Sequence, residues 1–228
     1  MKKLVMALAA SSMMMTYARA EEAKAPASWA DTLAFKGDLR YRVENIEEEG
    51  KEDRYRHRIR ARLGAEAKPS EELSLGLRLS TAQDNDPVSS NQTLGEGASR
   101  KDIYLDLAYL DFHPEAVKGL SLIAGKMENP FARVSDLVWD GDLNPEGVAA
   151  KYKLGGDGLD LFANVGSFWV EERSADEDDA MLYGGQVGVK AKGEGINAML
   201  AAGYYSYENL EGYPVLDITG SDRAKAKG

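Results

Sequence analysis

The sequence predicts an all-β fold, a transmembrane antiparallel β-barrel. Three observations lead there. Long segments alternate apolar and polar residues with period two, the connections between them alternate long and short, and the chain opens on an export leader. The leader has Lys2 and Lys3, an apolar stretch from Leu4 to Tyr17 and the small-x-small triplet Ala18-Arg19-Ala20. Its apolar stretch is too short to cross a bilayer as a helix, which needs about 20 residues. Residues 1–20 are therefore read as a signal peptide, 21–32 as a periplasmic N-terminal segment and 33–228 as the N-terminal part of the barrel.

Composition narrows the class further. Losing Lys2, Lys3 and Arg19 from the 28 basic side chains leaves 25 against 38 acidic ones, a net of −13. So acidic a chain is a poor general ligand for nucleic acid, and none is expected as a partner. Cysteine is absent, which removes disulfides and thiolate chemistry. After residue 20 no apolar run approaches 18 residues, which argues against a spanning helix but leaves spanning strands open, since these need only about 10 residues with every second one apolar.

The strands follow in order. Leu33, Phe35, Leu39, Tyr41 and Val43 alternate with Lys36, Asp38, Arg40, Arg42 and Glu44. Over 54–66, Tyr55, Ile59, Ala61 and Leu63 alternate with Arg54, Arg56, Arg58, Arg60 and Arg62, and four leucines from 73 to 79 alternate with Ser74, Gly76 and Arg78. Further strands are expected at about 103–112, with a phase change near Tyr109 and Leu110, and at 119–126, 147–154, 159–170, 181–192 and 196–207. The short connections carry turn residues, such as Lys68-Pro69-Ser70, His113-Pro114, Gly155-Gly156-Asp157-Gly158 and Gly193-Glu194-Gly195. Barrels of the outer membrane pair tight periplasmic turns with longer outside loops. Tyr55, Tyr104, Phe168, Trp169, Tyr183, Tyr204 and Tyr205 are expected in an outer aromatic girdle, and Tyr109, Phe112 and Tyr152 in a periplasmic one. Bacterial single-chain barrels close with an even strand number, so nine strands imply a fragment of a larger barrel of about 16 strands. The competing fold is a secreted soluble β-sandwich, whose strands average about 5 to 6 residues.

The arginine rows carry the functional reading. An arginine at the bilayer midplane costs about 2 to 4 kcal/mol. Arg40, Arg42, Arg54, Arg56, Arg58, Arg60, Arg62 and Arg78 are accordingly expected to line the interior. The 127–146 connection holds Glu128, Asp136, Asp140, Asp142 and Glu146 beside Arg133. Two courses are open to it, over the rim or inward as a constriction whose carboxylates face the arginines and set up a transverse field. The acidic runs Asp84-Asn85-Asp86 and Asp176-Glu177-Asp178-Asp179 match no ordered metal loop, so no metal or other cofactor is expected. His57 and His113 are the only histidines, and neither lies near a serine nucleophile motif. A barrel enzyme is thus the weaker alternative.

Residues 125–131, Gly-Lys-Met-Glu-Asn-Pro-Phe, and 138–148, Val-Trp-Asp-Gly-Asp-Leu-Asn-Pro-Glu-Gly-Val, together with Ala108-Tyr109-Leu110-Asp111-Phe112, resemble the large Gram-negative family known as putative porins. The resemblance covers about 50 residues and implies a 16-stranded or similar barrel of the bacterial outer membrane, without implying a solute. Expected partners are outer-membrane lipid and lipopolysaccharide and small hydrophilic solutes that diffuse passively. A homotrimer is the assembly common among porins.

Overall fold

The computed structural model describes residues 28–211, apart from 134, 136, 157, 175–177 and 194–196. The leader of residues 1–20 lies outside the described residues.

Ten strands form one antiparallel sheet: β1 (Ala34–Ile46), β2 (Arg54–Ser70), β3 (Leu73–Thr81), β4 (Gln92–Thr93), β5 (Ile103–Phe112), β6 (Leu120–Lys126), β7 (Glu146–Gly156), β8 (Leu159–Glu171), β9 (Ala180–Lys192) and β10 (Asn197–Glu208). Each pairs with the next in the chain, except that β3 pairs directly with β5 and β4 pairs with β2. The nine strands expected from the alternation are all present, with ends shifted by a few residues. The sheet is open, and β1 and β10 have one neighbour each among the described residues. At about 3.3 Å per residue the 13 residues of β8 extend roughly 43 Å, and a tilt near 45° gives a height of about 30 Å, enough for a bilayer core.

Ahead of β1 a single 3₁₀ turn (Trp29–Thr32) is capped reciprocally: Ser28 Oγ accepts from Ala30 N at 3.3 Å, and Asp31 Oδ2 accepts from Ser28 N at 2.8 Å. Thr32 Oγ1 donates to Lys68 O at 3.0 Å and accepts from Lys68 N at 2.8 Å, which ties this turn to the end of β2.

Short β4 was not legible in the period-two pattern. β2 has 17 residues and β3 only 9, so the outer half of β2 would show bare N–H and C=O groups to its right-hand neighbour. β4 pairs Arg58 with Thr93 and Ile59 with Gln92, and Leu94 N donates to His57 O at 2.8 Å, so the 82–102 connection covers that edge.

Opposed residues in an antiparallel ladder share a face, so register fixes the two faces across the sheet. One chain of partners runs from Gly76 through Tyr109, Gly125, Gly147 and Phe168 to Leu182. Arg78 lies two residues from Gly76 on β3, and Gly64, opposite Arg78, lies two residues from Arg62, so the arginines share that face. The other face is apolar and open: Leu63 is 61 % exposed and Val187 60 %, although both lie within long strands. A soluble sandwich would bury such residues under a second sheet, and the described residues form one sheet. Open leucines and valines on one side with arginines on the other suit lipid on the first side only.

Two expectations about facing need correction. The phase of β5 changes between its pairings Arg78↔Leu107 and Leu79↔Leu105, not near Tyr109 and Leu110, because an extra residue there bulges the strand. Asp106 and Leu107 thereby both meet the arginine side, Asp106 accepting from Arg78 and Leu107 being buried. Second, Tyr104, Tyr109, Phe168 and Tyr205 do not belong to an aromatic girdle. Tyr104 opposes the buried Ser80, Tyr109 covers Gly76, and Phe168 and Tyr205 pack in the apolar cluster on the arginine face. Tyr55, Trp169, Tyr183 and Tyr204 do open onto the apolar face, as do Phe112 and Tyr152 at the other end.

Neighbouring positions on β3 provide a direct check. Leu77→Arg, on the open apolar face, is expected to cost about 2–4 kcal/mol of membrane folding, whereas Ser74→Arg, opposite Asp111 on the other face, is expected to fold close to wild type. Folded yield in vesicles, read by heat-modifiable gel mobility, should separate the two; equal yields would remove the facing assignment.

Candidate functional site

The strands β1 and β2 bring Arg40 opposite Arg60 and Arg42 opposite Arg58. Like charges directly opposed are destabilising, and the sequence interleaves carboxylates that relieve them. Asp38 accepts from Arg60 Nη2 at 2.7 Å and from Arg62 Nε at 2.6 Å. Glu44 pairs with Arg42 and Arg56 and has Arg58 Nη1 at 3.9 Å. Arg78 Nε donates to Asp106 at 2.6 Å. Arg54 stands at the start of β2 in the same alternation and is exposed.

The neutral Asn91, buried in the 82–102 connection, takes the rest of the load. Its side-chain oxygen accepts from Arg40 Nη2 at 2.7 Å, and its carbonyl accepts from Arg58 Nη2 at 3.0 Å. The Nε atoms of Arg40, Arg42 and Arg58 are buried without a hydrogen-bond partner. Six arginines of β1 and β2 thus meet Asp38, Glu44 and one loop carboxylate, Asp142, so positive charge is left over around Arg40, Arg42 and Arg58. Farther out on the same connection, Lys101 Nζ donates to Glu96 at 2.5 Å and, with a bond from Ser99, lowers the Glu96 pKa.

Both long connections lie on this face. Thr81 Oγ1 donates to Ser90 O at 2.8 Å and accepts from Ala61 N at 3.0 Å, holding the 82–91 segment against β2. The 127–145 segment crosses from β2 and β3 toward β9 and β10. At one end Asp142 Oδ1 lies 3.7 Å from Arg62, while its Oδ2 accepts from Ser90 N at 3.2 Å and Ser90 Oγ at 3.0 Å. Glu128 accepts from Arg78 Nη1 at 2.8 Å, and Asn144 Nδ2 donates to the second oxygen of Asp106 at 2.6 Å. At the other end Phe131 and Trp139 stack with ring centres 6.1 Å apart, and Tyr205 meets both edge-on at 5.0 Å. With Met127 they are buried against Ile123, Ala149, Phe168 and Leu182, each large side chain contributing roughly 2–3 kcal/mol. Gly184 makes room for this: a Cβ there would strike the rings of Phe131 and Tyr205. Gln186 locks the backbone beside it, accepting from Ala132 N at 2.7 Å and donating to Ala132 O at 2.8 Å.

The sequence-derived constriction residues therefore separate. Asp142 and Glu128 touch the arginine strands. Asp140 caps the backbone of Asp142, accepting from its N–H at 2.7 Å, and Glu146 begins β7 and pairs with Lys126 at 2.8 Å. Arg133 is exposed, with its guanidinium over Gly141, and Asp136 lies outside the described residues. The loop carboxylates meet the arginines by direct contact instead of facing them across a gap. Reading the sequence missed Lys151, Lys153, Lys190 and Lys192 on the same face near the short connections; extending the alternation through β7 and β9 would have found them. It also missed Asn91 and Gln186, for which local pattern offers no signal.

A family model described as "Putative porin" matches residues 46–224. The chain belongs to that family, so the sheet is wall of a porin-like channel of the outer membrane. A search of curated proteins finds no match.

The docking of the 127–145 segment can be tested by proteolysis. Phe131→Ala combined with Trp139→Ala removes side chains whose burial is worth about 3–5 kcal/mol each, so the segment should detach while the strands remain folded. Tryptic cleavage after Arg133 should then accelerate strongly; unchanged cleavage would mean the aromatic cluster does not hold the segment.

Proposed function

We infer that the protein is exported by its leader and forms a water-filled channel for passive diffusion of small hydrophilic solutes and ions, with the arginine face turned to the lumen. The carrying observation is that both long connections and all the compensated arginines share one face, while the other face is open and apolar. The 127–145 segment then narrows the passage from within. Its docked carboxylates neutralise Arg62 and Arg78 at close range, so the field felt by a passing ion comes chiefly from the surplus at Arg40, Arg42 and Arg58. The acidic loops outside lie beyond about a Debye length, near 10 Å at 0.1 M salt, and act weakly there. The preference is therefore for anions, fading as salt rises. A homotrimer in contact with lipid and lipopolysaccharide completes this reading.

The enzyme alternative receives no support from the histidines. His57 opens onto the apolar face, where Nδ1 lies 2.5 Å from Tyr41 Oη, and His113 sits in a short turn 3.3 Å from Asp111.

The test is the reversal potential of the full-length protein under a KCl gradient. Arg40→Gln with Arg58→Gln should shift it toward cation preference by more than Arg62→Gln with Arg78→Gln, because the first pair carries the uncompensated charge and the second is held by carboxylates. Equal shifts, or none, would mean that the arginines do not face the conducting path. Excising 133–143 should raise single-channel conductance; unchanged conductance would place that segment outside it.

A further inference from the structure

On the arginine face, toward the short connections, a second basic region borders an open cavity of about 1120 Å³. Its floor comes from β7, β8 and β9. Lys151 opposes Asn164, Lys153 opposes Phe162, and Asp160 opposes Lys190, so all six share one face. Its ceiling is the docked 129–132 segment, held by the two bonds of Gln186 to Ala132.

The charges do not cancel. Asp160 is occupied by Lys153 at 3.1 Å and Lys192 at 3.3 Å. Asp111, on the far wall, accepts from Ser121 Oγ at 2.5 Å and lies 3.3 Å from His113. Glu115 and Lys118 of the adjoining turn add one charge of each sign. Lys190 has no carboxylate partner among the described residues, and its ammonium lies 5.2 Å from the centre of the Phe162 ring. Lys151 has no carboxylate partner among them either. Two spare ammonium groups thus border a cavity that also presents the Phe162 ring below and Pro130 and Phe131 above. A bare inorganic anion keeps its hydration and gains nothing from those rings. An anion with an apolar body gains from both.

We propose that this cavity binds small organic monocarboxylates, the carboxylate between Lys151 and Lys190 and the apolar body against Phe162 beneath residues 130 and 131. The site rests on the channel reading above, which supplies its access, and gives that channel a preferred solute class.

The experiment is block of single-channel KCl current by benzoate in planar bilayers containing the full-length protein. Benzoate should block saturably and at lower concentration than acetate or inorganic phosphate. Lys151→Gln with Lys190→Gln should raise the half-blocking concentration about tenfold, the effect of losing one charge-assisted contact. Phe162→Ser should weaken block by benzoate and leave the weak block by acetate unmoved. Lys101→Gln, in the outer connection, should behave as wild type and controls for a general charge effect. Benzoate block that is absent, unchanged in the lysine variant, or matched by phosphate overturns the site while leaving the channel standing. A folded protein with no conductance overturns the channel reading, and the site with it.

Discussion

The constraint on which everything else depends is that hydrocarbon offers the backbone no hydrogen-bonding partner. Every N–H and C=O at membrane depth must pair within the protein, and a continuous antiparallel ladder does this without helices. The nine long strands of the meander follow from that requirement. So does the one departure from it: β2 outlasts β3, and the two-residue β4 is drawn out of a long connection to pair the edge left over. The same constraint makes alternation obligatory, because a strand with lipid on one side and a polar space on the other must change chemistry at every residue.

A polar face of this kind raises its own electrostatic problem. Arginines opposed in register, Arg40 to Arg60 and Arg42 to Arg58, repel each other. Asp38 and Glu44, placed in the same alternation, bridge them, and where no carboxylate is available the buried Asn91 offers two oxygens. The compensation is incomplete in one place only along these two strands, around Arg40, Arg42 and Arg58, and that asymmetry gives the face its sign. Toward the short connections the lysines of β7 and β9 repeat the arrangement with Asp160 as the bridge and two ammonium groups left over.

The apolar cluster sits in an unusual position for a β protein. It lies between the sheet and a connection, not between two layers, because Met127, Phe131 and Trp139 fold onto the polar face against Phe168, Leu182 and Tyr205. Glycines under the rings make this packing possible, with Gly184 beneath Phe131 and Tyr205 and Gly76 beneath Tyr109. A connection anchored by buried aromatics at one end and by Asp142 and Glu128 at the other is fixed across the face instead of swinging above it.

By itself the sequence determined the strands, their order and the facing of the arginine rows, since a period of two is a local property that the pleat converts directly into sides. The family resemblance in residues 108–148 pointed the same way, and the family match bears it out. Bulges and docked connections escape a local reading. The extra residue near Leu107 turns Tyr109 and Asp106 toward the arginine side, and alternation alone could not place it. Tyr205 and Phe168 read as girdle residues because they sit near strand ends, yet their side is set by register, and their burial by a segment some 30 to 80 positions away. The course of the 127–145 connection, the oxygens of Asn91 and the clamp of Gln186 were decided only in three dimensions, because each depends on contacts between residues far apart in the chain and on no pattern within it.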